Sequence, residues 1–227
     1  TLQSARLTLE LVARHPAVRA LDATQCDPLL TDLLRTGKRF SHLVTTTLQG
    51  DVVCSAKPLP PGQTVNAGDK PWFQRALQAG KFSVGDTHTG PISGQWVTVL
   101  SLPIRDEQNQ MLGLAHLTLD LAALHPGLPT EGLPEDSHYG VFDAQGTLLW
   151  RNHDPEKAIG TRPDWEVARK VVAQYKEFEA EGLEGIKRFY YTPPFPSRTG
   201  WRILANPAAA CTPRPSSAPG SVRCWRC

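Results

Sequence analysis

Apolar side chains return at helical spacing over the first fourteen residues: Leu2, Leu9 and Val12, with Leu7 and Leu11 nearby. This predicts an N-terminal helix that Pro16 interrupts or ends. A second start signal stands at Asp27-Pro28, an N-cap with proline at the first helical position, and LLTDLLRTG then makes two turns that stop at Gly37. The period then changes from helical to alternating. SHLVTTTL and VVCSA are β-rich runs on either side of Gln49-Gly50-Asp51 and predict a hairpin. PLPPGQ reads as a loop. Pro71 to Ala79 predicts a short amphipathic helix, opened by proline after an Asp69 N-cap and closed by Gly80. Strands are expected over Lys81 to Val84, Gln95 to Ile104 and Met111 to Leu121, the last two joined by the polar turn RDEQNQ.

The second half repeats this order. LAALHPGLPTEGLPEDS is a Pro/Gly-rich connector, and HYGVFDAQGTLLWRN is a hairpin turning at Asp143-Ala144-Gln145-Gly146. DWEVARKVVAQYKEFEA reads as a helix capped by Asp164, and GIKRFYYTPPF with GWRILANP as a strand pair. Both halves run hairpin, helix, strands, so the expected class is α+β: N-terminal helices over 1–42, a first module over 43–121 and a second over 122–207. The remaining stretch, 208–227, has no periodicity and reads as a disordered or out-of-frame tail, set aside from functional reasoning.

Composition narrows the function classes. With 40% hydrophobic residues the chain can bury a core. Its 24 basic and 22 acidic residues leave a net charge of +2, without a basic run or aromatic–basic interleaving, which disfavours nucleic acid as a partner. No apolar stretch reaches the roughly 18 residues a bilayer span needs. Thr1 opens directly into a helical pattern, with neither an initiator methionine nor a signal peptide, as expected of a piece of a longer protein. GxSxG, P-loop and HExxH motifs are absent and no cysteine–histidine spacing suits zinc, so neither catalysis nor a metal or cofactor is expected. Of the five cysteines, Cys26 and Cys54 lie in the body of the chain. They read equally as two buried thiols or as one disulfide tying the N-terminal helices to the sheet.

Three stretches, GDKPWFQRALQAGKFSVGD, GPISGQWVTVLSLPIRDEQNQMLGLAHLTLDLAAL and VFDAQGTLLWRNHDPEKAIG, together resemble the double Cache sensor domain of bacterial membrane receptors. The resemblance runs from Leu2 to about Pro207 and rests on the order and spacing of these stretches. It implies a long N-terminal helix and two PAS-like modules, the first membrane-distal and ligand-binding, the second membrane-proximal and usually without ligand. It implies a periplasmic location between two membrane helices outside this chain, and a possible homodimer through the N-terminal helix. Cys26 and Cys54 fall where related sensors carry a paired cysteine, which implies the disulfide.

In amino-acid-binding relatives the ligand motif is a basic residue, a spacer, Trp and Tyr, with an Asp near the end of the last strand. Lys70, Trp72, Phe73 and Asp120 fall on those positions, Phe73 lacking the tyrosine hydroxyl. Val65, His88 and Gly90 depart from the pattern, so the place of the pocket carries over more securely than its ligand. The residues themselves support a site there. An aromatic ring supplies a wall, a cation can clamp a carboxylate, and a carboxylate can hold an ammonium. In LAHLTLD, period two puts His116, Thr118 and Asp120 on one face, a solvated face or a polar pocket wall. Each residue also has a plainer reading. Trp72 and Phe73 are core, Lys70 is solvated, Asp86 and His88 shape a turn, His116 is a satisfied core histidine, and Asp120 caps the connector. The expected function is a non-catalytic sensor for an amino acid, organic acid or amine, serving a histidine kinase or diguanylate cyclase more readily than a chemoreceptor. A ligand-free adhesion, scaffold or relay domain is the alternative.

Overall fold

The computed structural model describes residues 2–26, 28–36, 40–58, 65–90, 94–124, 137–160, 166–192 and 202–206. It divides into two compact units, Thr1–Pro126 and Gly127–Cys227.

In the first unit the helical spacing builds α1 (Leu2–Arg14), which buries Ala5, Leu9, Val12 and Ala13 on one stripe. Pro16 starts a separate turn, α2 (Pro16–Arg19), because its ring cannot continue the preceding ladder. α3 (Pro28–Thr36) follows; Asp27 and Gly37, the expected cap and stop, lie outside the described residues. The alternating runs form β1 (Phe40–Thr47), β2 (Val52–Ser55), β5 (Trp96–Arg105) and β6 (Met111–Asp120). Between them stand α4 (Pro71–Ala79) and two short pieces, β3 (Ser83–Val84) and β4 (His88–Thr89). All pairings in the sheet are antiparallel, in the order β2-β1-β6-β5-β3, with β4 also on β5. The strand expected over Lys81 to Val84 is thus only two residues long, and His88 sits in a paired strand rather than a turn.

The two sheet faces are used differently. Ala115, Leu117 and Leu119 are buried on one face. α1 runs along β5 and β6, and Leu21 just beyond α2 approaches Gly113 on that same face. The opposite face receives α4, where Phe73 and Ala76 pack with Ala67 and Leu114. α4 begins after Lys70, whose extended backbone makes it the N-cap; Asp69 does not cap the helix but pairs with the Lys70 side chain. Gly80, at φ 57°, ends the helix in the left-handed conformation that favours glycine.

The second unit holds β7 (His138–Phe142), β8 (Leu148–Arg151), α5 (Pro155–Ala158), α6 (Glu166–Val172), β9 (Glu177–Glu181), β10 (Lys187–Tyr191) and β11 (Arg202–Asn206). Its antiparallel sheet has the order β8-β7-β11-β10-β9. The β7–β8 hairpin turns where expected, and the Asp143 carboxylate accepts hydrogen bonds from the Gln145 and Thr147 amides. The single long helix expected over DWEVARKVVAQYKEFEA is instead α6 followed by β9. Gln174 takes a left-handed φ of 61° and stops the helix, and EFEAE then alternates, burying Phe178 and Ala180 between exposed glutamates. Asp164, the expected cap, lies outside the described residues, as do most of the connector and the tail. α6 covers the apolar face with Val167, Ala168 and Val171 against Phe142, Leu148, Phe178 and Leu204.

Cys26 and Cys54 form a disulfide across 28 positions of sequence. Cys54 is buried in β2 while Cys26 is exposed, so the reading of two buried thiols does not hold. Closing a loop of this length removes roughly 3–4 kcal/mol of unfolded-chain entropy. Cys54→Ser, or reduction, should therefore lower the melting temperature of the first unit by roughly 10 °C in calorimetry; an unchanged melting point would show that the bridge constrains nothing.

Candidate functional site

The period-two row of β6 lies on the face that α4 covers, and the three polar side chains there have different surroundings. His116 is 1% exposed and bonded at both ring nitrogens: Thr46 Oγ1 on β1 lies 3.0 Å from Nε2, and Ser101 Oγ on β5 lies 2.9 Å from Nδ1. A hydroxyl both donates and accepts, so a neutral imidazole is satisfied in either tautomer. Burial pushes His116 down to about 3. The plainer reading of His116, a satisfied core histidine, is what the geometry shows, and it has a consequence for its neighbours. The Trp72 ring stands edge-on to the imidazole at 5.0 Å, and Phe73 lies at 5.8 Å.

Trp72 is half-buried and Phe73 fully buried. Behind Trp72 runs Gly85, where an added Cβ would come within 2.7 Å of the tryptophan Cβ. The glycine lets β3 and α4 approach closely enough to seat the indole. Beyond Trp72 the same sheet face carries Thr118 and Asp120, both half-exposed. His42 on β1 pairs with Thr118 and completes the row. Its Nε2 lies 3.2 Å from Ser55 Oγ, and burial, then the charge of Lys57, hold it below its ordinary value. Asp120 Oδ1 accepts from the Ala122 amide at 2.9 Å, the connector cap of its plainer reading; among the described residues Oδ2 has no hydrogen bond.

The remaining candidates are already engaged, although His88 shares the face of Asp120, since both pair with Val97. Lys70 Nζ sits 2.9 Å from Asp69 Oδ2, both exposed, a pairing of small energetic value that a ligand can displace. Asp86 pairs with Arg75 of α4 at 2.5 Å, and its carbonyl lies 3.0 Å from His88 Nδ1. His42, Thr46, Ser101 and Arg75 were not singled out from sequence. Applying period two to FSHLVTTT would have put His42 and Thr46 on one face; nothing local marks Arg75. Among the described residues no cluster of His, Cys, Asp and Glu could hold a metal ion.

The depressed His116 gives a sign to pH dependence. Its folded value lies below the ordinary 6.5, so the unfolded chain binds the extra proton. The contribution is fully present above 6.5 and is lost as pH falls toward 3, at up to about 1.4 kcal/mol per pH unit. His42 and His138 are depressed as well and act in the same direction. Urea unfolding at pH 7 and pH 5 should show a fall in stability, and His116→Gln should make that fall smaller by about 2 kcal/mol. Equal falls in both proteins would contradict a neutral buried imidazole.

No protein-family model and no curated protein matches the sequence. Solved structures do match its fold. The extracellular domain of the putative histidine kinase rpHK1S-Z16 aligns at TM-score 0.72 with 14% identity, covering 90% of this chain and 86% of that one. The ligand-binding domain of Pseudomonas fluorescens chemoreceptor CtaA, in complex with L-alanine, aligns at 0.66 with 16% identity, over 90% and 88%. The sensor domain of the V. cholerae histidine kinase DctB aligns at 0.60 with 14% identity, over 90% and 89%. These are sensor and ligand-binding domains rather than catalytic ones, and this chain has the fold of the extracellular sensor domains of bacterial histidine kinases and chemoreceptors.

Proposed function

We propose that this chain is the extracytoplasmic sensor domain of a bacterial inner-membrane receptor, and that its first unit binds a small polar molecule such as an amino acid or a carboxylate. The observation that carries the reading is the row His42, Thr118 and Asp120. These half-exposed polar side chains continue the row of the buried His116 beyond α4, beside an indole held in place by His116 and Gly85. Asp120 offers a carboxylate oxygen to an ammonium group, Thr118 a hydroxyl, and Trp72 a flat apolar wall. Lys70 can leave Asp69 to meet a ligand carboxylate. Structures of the same fold hold L-alanine, L-isoleucine, L-Gln and L-Arg, which supports an amino acid as the first ligand class to try.

The second unit repeats the strand order of the first: second strand, first, last, penultimate, third. This supports reading the chain as two tandem PAS-like modules. A ligand in the first module signals by binding two conformations with different affinity. The output fits a histidine kinase or a diguanylate cyclase better than a chemoreceptor. On α1, Leu7 and Leu11 are 59% and 55% exposed and lie one turn apart, which supports a homodimer through this helix.

A thermal-shift panel of amino acids, small carboxylates, amines and purines tests the reading. A true ligand at about 100 times its Kd should stabilise the protein by roughly 2.7 kcal/mol. Trp72→Ala should abolish that shift while the protein still unfolds cooperatively, and Asp120→Asn should weaken an amino acid by roughly 1.5–3 kcal/mol and leave a plain carboxylate nearly unchanged. Silence across the panel would favour a ligand-free relay or scaffold. Leu7→Glu with Leu11→Glu should turn a dimer into a monomer in analytical ultracentrifugation; a wild type that is monomeric at high concentration contradicts the helix interface.

A further inference from the structure

The second unit holds a cluster that the proposed sensing reaction in the first unit does not use. In the β8-β7-β11-β10-β9 sheet, paired residues share a face. Gly140 pairs with Arg151 and with Leu204; Arg188 pairs with Ala180, and Tyr190 with Phe178. The face under α6 carries the apolar side chains Phe142, Leu148, Phe178 and Ala180. His138, Arg151, Arg188 and Tyr190 stand on the same face, Tyr190 packing within the apolar cluster. The His153 ring lies 4.4 Å from that of His138.

Two guanidinium groups, Arg151 and Arg188, stand there with the carboxylates of Glu184 and Asp154. Arg151 is 14% exposed and its Nη1 donates to Glu184 Oε1 at 2.7 Å, while its second contact, with the exposed Asp154, is 3.9 Å long. Arg188 forms no ion pair among the described residues. The Nε of Arg151 and the Nε of Arg188 are both buried without a hydrogen-bond partner. Burial, then Arg188 and His153, hold His138 below its ordinary value, as expected of an imidazole in a positive field. A buried guanidinium N–H left unpaired is costly, and two of them beside two imidazoles need an acceptor that one glutamate does not supply.

We infer that this face of the second unit holds an oxyanion site, in which Arg151 and Arg188 fork onto a small carboxylate or phosphate and His138 donates from the side, while His153 Nε2 donates to the Ser137 carbonyl. Planar guanidinium groups match both oxyanions. Glu184 orients Arg151, and Tyr190 forms the floor, stacked on Phe178 at 5.4 Å. All of these residues belong to the second unit.

The test uses the full chain at constant ionic strength held with sodium chloride. Sodium phosphate and, separately, sodium succinate are titrated in, with calorimetry and the ring proton resonances of the histidines as readouts. Saturable shifts of His138 and His153, with His116 unmoved, are expected for at least one of the two anions. Arg188→Gln should weaken binding at least about tenfold, and Arg188→Lys, which keeps the charge and loses the fork, by about threefold. Trp72→Ala should leave these shifts intact, which separates this site from the first unit even if that unit binds nothing. A linear drift no larger than the chloride control overturns the proposal. So does unchanged affinity in Arg188→Lys and Arg151→Gln, or binding that disappears with Trp72→Ala.

Discussion

One imidazole holds the first unit's working face together. His116 on β6 reaches Thr46 on β1 and Ser101 on β5, so a single side chain ties three adjacent strands by groups other than their backbone ladders. The same ring presents its edge to Trp72 and Phe73 at the start of α4. Such a buried network stabilises only when complete, because each missing partner leaves a desolvated polar group. The position of Trp72, and with it the wall of the proposed ligand face, follows from this arrangement and from the missing Cβ of Gly85.

Both units follow one plan: an antiparallel sheet with one face covered by a helix that spans only part of it. Under the helix the face is largely buried, with His116 among its apolar side chains in the first unit, and further side chains with hydrogen-bonding capacity share the same face. In the first unit these are His42, Thr118 and Asp120, which suit a zwitterion or a carboxylate. In the second they are arginines and histidines, which suit an oxyanion. The same architecture thus carries different polar side chains at the two proposed sites.

Much of this was legible in the residues. The switch from helical to alternating period located α1, β1, β5 and β6, and LAHLTLD alone placed His116, Thr118 and Asp120 on one face. The proline and glycine around PWFQRALQA bracketed α4. What stayed hidden was pairing over distance. Thr46 and Ser101 lie 70 and 15 positions from His116, and nothing local marks them as its partners. By residue type EFEAE continues the preceding helix, since glutamate and alanine favour helices, and only the left-handed turn at Gln174 and the burial of Phe178 decide for a strand. Asp69 looked like a cap by residue type, yet Lys70 takes that position because the chain is still extended there.

The measurement that bears most directly on this account is a crystal structure of the chain grown with the amino acid that stabilises it most. The account predicts density over the Trp72 ring, with the ligand ammonium on Asp120 and a polar atom on Thr118, and His116 still bonded to Thr46 and Ser101. Density elsewhere on the first unit, with Trp72 covered by its own chain, would contradict it.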